Sequence, residues 1–291
     1  MTASSSDSLG SDIDGPGIHA SHGDRRSGIV LVTGGSGTLG ALVVDRLRDH
    51  GHAVRVVSRR GSGPRDDVEY VSGDLDTGEG VADAVAGVDL IVHCAGAQKG
   101  DGEKARQLVE AARREGVRHL VYISVAGADR VPVHSKTDHA MFEYFAQKRV
   151  GELVIERSGI PFTTLRTTQF FTLVYPVAQS VAKLPIVPLP KRLHVQPVAA
   201  EEVADRLVAL AEGEPAGYVP EFGGPRVYDS HELVRAYLRS VGRRRWIVSV
   251  SLPGKAAKAV LHDAIVSTGS ERGTATWEEY LAARALEPTA G

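Results

Sequence analysis

The sequence predicts an α/β fold: a doubly wound parallel sheet with a small C-terminal lobe for substrate. Three observations predict it. From residue 28 to 170, short apolar runs alternate with stretches whose apolar residues recur at helical spacing. The first run, GIVLVT (28–33), is apolar throughout, as expected of a strand buried on both faces. Directly after it, IVLVTGGSGTLGALVV (29–44) sets three glycines, Gly34, Gly37 and Gly40, between strand and helix.

The remaining elements follow in order. Further strands are HAVRVVSRR (52–60), VEYVSGD (68–74), VDLIVHCAG (88–96), VRHLVYISVAG (117–127) and PFTTLRTTQF (161–170). The helix after the glycines carries Leu39, Leu42, Val43 and Leu47 on one stripe, and GVADAVAG (80–87) is a short helix. A third helix places Ala105, Leu108, Val109 and Ala112 on one face and stops at Gly116. A fourth spans 137–158. Beyond Phe170, KLPIVPLPKR (183–192) reads as a proline-broken loop and LHVQPV (193–198) as a short strand. The helix at 201–212 aligns Val203, Ala204, Leu207, Val208 and Ala211. Asp229 and Glu232 have capping-box spacing before a helix at 229–241. WIVSVSLP (246–253) reads as a strand, and TWEEYLAARA (276–285) as a closing helix anchored by Trp277 and Tyr280. The expected division is a disordered Ser/Gly/Asp-rich tail at 1–27, a nucleotide-binding core at 28–170 and a lobe at 171–291. The 193–212 strand and helix are expected to return to the core.

The 291 residues are 42% hydrophobic and 24% charged, with a formal net charge of -2. That balance gives no reason to expect nucleic acid or a membrane as partner. No apolar run approaches the roughly 18 residues of a membrane-spanning helix, and residues 1–27 lack a signal peptide's apolar core. The single cysteine, Cys94, excludes an internal disulfide framework and fits a reducing cytoplasm. No Cys/His cluster has metal-ligand spacing, so no metal is expected; His50, His52, His134 and His139 read as surface or capping residues.

The glycines have a mechanical reading. Gly34 can take a turn closed to other residues, Gly37 lets backbone approach a pyrophosphate, and Gly40 lets helix and strand pack. The helix N-terminus presents free N–H groups to phosphate. This is the Rossmann-type nucleotide-binding arrangement, with contacts expected from Gly34, Ser36, Gly37, Thr38, Leu39 and Gly40. A site for NAD(H) usually has an acidic residue at the end of the second strand. Here stand Ser58, Arg59 and Arg60, which suit a 2′-phosphate, so NADP(H) is expected over NAD(H), with NAD(H) possible.

TGGSGTLG (33–40), SRR (58–60), GDL (73–75), HCAGA (93–97), YIS (122–124) and YFAQK (144–148) resemble the atypical and extended short-chain dehydrogenase/reductases. The likeness is nearest to their NmrA-like NAD(P)H-binding branch. SGIPFTTLRTTQF (158–170) and TWEEYL (276–281) extend it over roughly residues 28–285. The resemblance implies that Asp74 and Leu75 flank the adenine and that Ala95 and Gly96 line the pyrophosphate–ribose path. It also implies that Thr167 to Phe170 border the nicotinamide and substrate, with Gln169 and Phe170 the substrate contacts. Cys94 would be a buried strand residue beside the cofactor. The family's Arg-Pro after the sixth strand is Arg166-Thr167 here, and its active-site asparagine has no recognisable counterpart.

Tyr144 and Lys148, at i and i+4, share a helix face, so an ammonium can sit near a phenol and ease its proton exchange with a carbonyl. Lys148 could also hold the nicotinamide ribose. Ser124, at the end of the fifth strand, is the expected orienting hydroxyl, in the manner of the family's serine. Phe145 beside Tyr144 offers a competing packing role. The leading expectation is an NADP(H)-dependent oxidoreductase acting on a small carbonyl, quinone or enone-like compound. The alternative is a non-catalytic NADP(H)-binding redox sensor that signals to a protein partner. A nucleotide-sugar epimerase holding NAD is disfavoured by the arginine pair. The basic triple Arg243, Arg244 and Arg245 reads as a solvated connection.

Overall fold

The computed structural model describes Met1 and residues 28–59, 67–96 and 100–286. The expected disordered tail beyond Met1, and Arg60, lie outside the described residues. The first half alternates strictly: β1 (Ile29–Thr33), α1 (Thr38–Asp49), β2 (Ala53–Ser58), β3 (Glu69–Ser72), α2 (Val81–Val85), β4 (Val88–His93), α3 (Asp101–Glu115), β5 (His119–Val125), α4 (Lys136–Glu156) and β6 (Phe162–Thr167). Then come α5 (Phe171–Val181), β7 (Ile186–Pro190), β8 (His194–Val195), α6 (Ala200–Glu212), β9 (Gly217–Tyr218) and β10 (Tyr228–Asp229). The chain closes with α7 (Ser230–Ser240), β11 (Trp246–Val250), α8 (Lys255–Val260) and α9 (Trp277–Leu286).

Seven parallel strands form the central sheet in the order β3-β2-β1-β4-β5-β6-β9. The alternation of side chains along each strand divides the core in two. Val30, Val32, Val121 and Ile123 face α1 and α6, while Leu31, Leu120 and Tyr122 face α2, α3 and the later part of α4. All seven residues of β5 are buried. The strand order reverses between β1 and β4, and the crevice beyond their C-terminal ends is where such sheets take ligands.

Residues 193–198 are only partly the strand expected. β8 keeps His194 and Val195 and pairs antiparallel with β10, away from the central sheet, whereas α6 lies on α1 and the first core face. The proline-rich segment 183–192, expected as a loop, contains β7, paired in parallel with β11. Lys191 donates its N–H to the Val250 carbonyl, so alternate residues 187 and 189 turn toward β11. The donor-less nitrogens of Pro188 and Pro190 then face away from the partner, which a strand with one neighbour tolerates.

Helix α5 carries Pro176 and was not evident in the sequence. Helix α4, expected unbroken, is interrupted at Phe142 (φ -131°, ψ 15°). The capping box occurs not at α7 but at α4, where Ser135 and Asp138 cap each other. At α7, Asp229 accepts the His231 N–H, while Glu232 pairs with Arg226.

The second lobe packs around Trp277, which is 0% exposed and donates its indole N–H to the Leu233 carbonyl at 3.1 Å. Its ring stacks on Tyr280, 5.6 Å between centroids, and Phe171 lies alongside. The two expected anchors of the last helix thus form one aromatic cluster. Trp277→Ala should lower the unfolding free energy by about 3–5 kcal/mol, read from the urea midpoint at unchanged m-value.

Candidate functional site

The turn after β1 brings backbone against backbone. Gly34 has φ +71°, and a Cβ on it would lie 2.7 Å from the Ala95 nitrogen beyond β4. A Cβ on Gly40 would lie 2.1 Å from the Gly34 carbonyl oxygen. Only glycine at both positions lets α1 start this close to the two strand ends. Gly37 is the N-cap of α1 and offers no side-chain bond, and the first turn has no acidic residue. Ser36, Gly37 and Thr38 are exposed, while Leu39 is buried beneath them. The free N–H groups and positive dipole end therefore open toward the crevice, an arrangement that fits a dinucleotide's phosphates.

Ser58, half-buried, ends β2, and its carbonyl accepts the Gly73 N–H; Arg59 follows and is exposed. Asp74 is half-buried and turns one carboxylate oxygen back to the Asp76 N–H at 2.8 Å. Leu75 is packed among the residues between the sheet and α2.

Lys148 is 3% exposed, and its Nζ lies 3.1 Å from Oδ2 of the buried Asp101. The same ammonium donates to the Ile123 carbonyl at 3.3 Å and stands 5.1 Å from the Tyr122 ring centroid and 5.9 Å from that of Tyr144. Burial alone would push the lysine down. The neighbouring phenols and the Asp101 carboxylate overcome this and raise it above its ordinary range. Gly96 closes the cluster, since a Cβ there would meet Nζ at 2.9 Å. Gly34, Ala95, Gly96, Lys148 and Tyr144 thus form a continuous path from the glycine turn to a phenol.

The two tyrosines differ. Burial pushes Tyr122 up to about 12, and its phenol oxygen, set against Gly151, has no hydrogen-bond partner among the described residues. Tyr144 is half-buried and can exchange with solvent. The neighbouring aromatic, Phe145, packs with Phe142, Val131, Ala256 and Val260 and also lies edge-on to the Tyr144 ring, 5.9 Å between centroids.

Two expected contacts are engaged elsewhere. Ser124 is 3% exposed and donates its hydroxyl to Glu152 at 2.6 Å. Glu152, 0% exposed, also receives two bonds at 2.7 Å from Arg166 and one at 2.8 Å from Arg149. Two guanidinium groups therefore share this carboxylate with the Ser124 hydroxyl. The Ser124 hydroxyl is thus directed at Glu152, a partner the sequence did not disclose. Gln169 donates to the Ile265 carbonyl and accepts from the Gln196 N–H. Phe170 packs on the core side of the α5 start, bridged to Val198.

The sequence did not single out Asp101, His93 or Thr33. The Thr33 hydroxyl accepts the Ala95 N–H at 3.2 Å and is hydrogen-bonded with Nδ1 of His93 at 2.6 Å. His93 is stacked on Tyr122, 5.2 Å between centroids. Burial, reinforced by the Lys148 and Lys104 ammonium groups, lowers it from 6.5 to about 3. Desolvation likewise pushes the Cys94 thiol up to about 12, so it stays protonated and inert at neutral pH.

Between pH 6.5 and 3 the unfolded chain binds a proton at His93 that the folded chain refuses, so stability falls as the pH drops through that window. The slope from this one group reaches about 1.4 kcal/mol per pH unit. His93→Asn should flatten the acid limb of a urea-unfolding series by that amount.

Comparison with known proteins agrees with this geometry. The NAD(P)H-binding family model matches residues 34–213. A ceramide reductase of Caulobacter vibrioides is 28% identical over 277 residues, covering 87% of this chain and 84% of its own. An NADPH-dependent quinone oxidoreductase of Escherichia coli, complexed with NADPH, aligns with TM-score 0.71 at 17% identity, over 88% of this chain and 99% of that one. A Citrobacter sp. triphenylmethane reductase complexed with NADP(H) gives TM-score 0.71 at 20% identity, over 88% and 99%. At those identities the two structures share the fold. With its glycine turn and most of its sheet inside the matched span, the chain belongs to the NAD(P)H-binding family.

Proposed function

We propose that this protein is an NADP(H)-dependent oxidoreductase that reduces a small carbonyl, quinone or enone-like compound. The observation that carries the reading is the buried Lys148 ammonium, which lies against Gly96 on one side and the Tyr144 ring on the other. The glycine turn at Gly34–Gly40, Ala95 and Gly96 would hold the dinucleotide, which when bound would be the source of the hydride for the substrate carbon. Tyr144 gives its phenolic proton to the substrate oxygen, so that hydride and proton together yield an alcohol or a quinol. Lys148 stabilises the phenolate left behind, and the half-exposed Tyr144 regains a proton from solvent. Asp101 holds Lys148 in place. Arg59, beside Ser58, supports the preference for the 2′-phosphorylated coenzyme. The NADPH-dependent quinone oxidoreductase and the ceramide reductase among its likenesses are consistent with carbonyl-type acceptors.

One observation favours a second reading, a redox-sensing NADP(H)-binding protein that passes its state to a partner: the serine of the trio is tied to Glu152. Absorbance loss of NADPH over a panel of quinones and aldehydes separates the two. As an enzyme, the protein turns over, and Tyr144→Phe lowers kcat by roughly 10²–10⁴-fold at unchanged NADPH affinity. Tight NADPH binding with no turnover across the panel removes the catalytic reading and leaves the sensor.

Cofactor preference is tested on its own. Arg59→Ala should weaken NADPH binding about tenfold, the exposed charge being screened, and leave NADH binding unchanged in isothermal titration. Equal loss for both coenzymes would exclude a 2′-phosphate contact.

A further inference from the structure

The near-neutral charge of the whole chain conceals a local excess. No Asp or Glu occurs between Glu156 and Glu201, nor between Glu232 and Asp263. Those two segments include β7 and β11, the ribbon of the second lobe.

Their pairing is in phase. Val187, Leu189 and Ile247 turn inward to the lobe core. On the outer side, Ile186 pairs with Trp246, Pro188 with Val248 and Pro190 with Val250. Five of these six are exposed, among them Trp246 at 82%, Ile186 at 53% and Val248 at 43%. A wholly apolar outer face on a two-stranded ribbon has no folding purpose, because it faces away from the core. Exposed basic residues lie at both ends: Lys183, Arg243, Arg244 and Arg245 before the strands, and Lys191, Arg192 and Lys255 after them.

We propose that the outer face of the β7–β11 ribbon docks on an anionic phospholipid surface, with Ile186, Trp246, Val248 and Val250 entering the headgroup layer and the flanking arginines and lysines meeting lipid phosphates. The charge selects this occupant. An apolar face with a basic rim, built from two segments that carry no carboxylate, complements an anionic bilayer, where each Lys or Arg adds to the attraction. A second copy of the same face would bring the arginine triples together, and six side chains fall short of the roughly 20–30 residues on each side of a stable protein interface. Tryptophan suits the interfacial layer, with an apolar ring and a polar N–H. The proposal does not depend on the reaction proposed above.

The test is co-sedimentation of the full chain with phosphatidylcholine vesicles made with and without phosphatidylserine. The expected result is binding to the anionic vesicles only, weakened by salt, with a blue shift of tryptophan fluorescence. Trp277, at 0% exposure, contributes a constant signal, so the shift reports Trp246. The triple change Arg243→Ala, Arg244→Ala, Arg245→Ala should weaken binding by roughly a hundredfold. Trp246→Ser should remove the shift, and both variants should keep the parental melting temperature. Failure of the parent to sediment with anionic vesicles overturns the proposal, as does binding that ignores the arginine changes. A concentration-dependent dimer in light scattering that Trp246→Ser dissociates also overturns it, and assigns the face to a second copy.

Discussion

Lys148 sits at 3% exposure, and an ammonium at that depth without a partner would cost several kcal/mol in lost hydration. Asp101 from the start of α3 and the Ile123 carbonyl from β5 offset that loss. Because the pair is buried on both sides, neither partner can leave without stranding the other. The loop ending in Gly96, the end of β5, the start of α3 and the second half of α4 are therefore held around one charge. The glycine turn after β1 then packs on the same loop through Ala95, so the phosphate end and the phenol end of the crevice share a single support.

A second ionic group lies one helical turn further along α4 and is structural. Glu152 collects Ser124, Arg149 and Arg166, and Arg166 extends to Asp129. This joins β5, α4 and β6 beneath the cleft. The two carboxylates have different partners: Glu152 accepts the Ser124 hydroxyl, whereas Asp101 engages Lys148.

What the sequence disclosed and what it hid divide along physical lines. The strand–glycine–helix start and the six alternating strands were legible because they rest on local periodicity and on Gly34 and Gly40, whose need is set within a few residues. Tyr144 and Lys148 were legible as an i, i+4 pair. Asp101 was not, because it looked like any acidic residue at a helix start and its partner lies 47 positions away. The partner of Ser124 was hidden for the same reason, since Glu152 and its Arg166 meet it only through tertiary packing. Strand β7 was hidden by its prolines, which are harmless only because their nitrogens face away from β11. The lobe's ribbon, unlike the central sheet, is defined by a pairing between segments about 60 residues apart.

The interruption of α4 at Phe142 divides that helix between two allegiances. Its first segment is fastened to the second lobe through Asp138, which accepts the Ala256 N–H of α8, and Phe142, at the joint, packs beside Val260. Its second segment is fastened to the sheet through Lys148 and Glu152. One residue off the helical path lets the two segments follow different directions, and Tyr144 stands just two positions past that joint, edge-on to Phe145, which still touches the lobe.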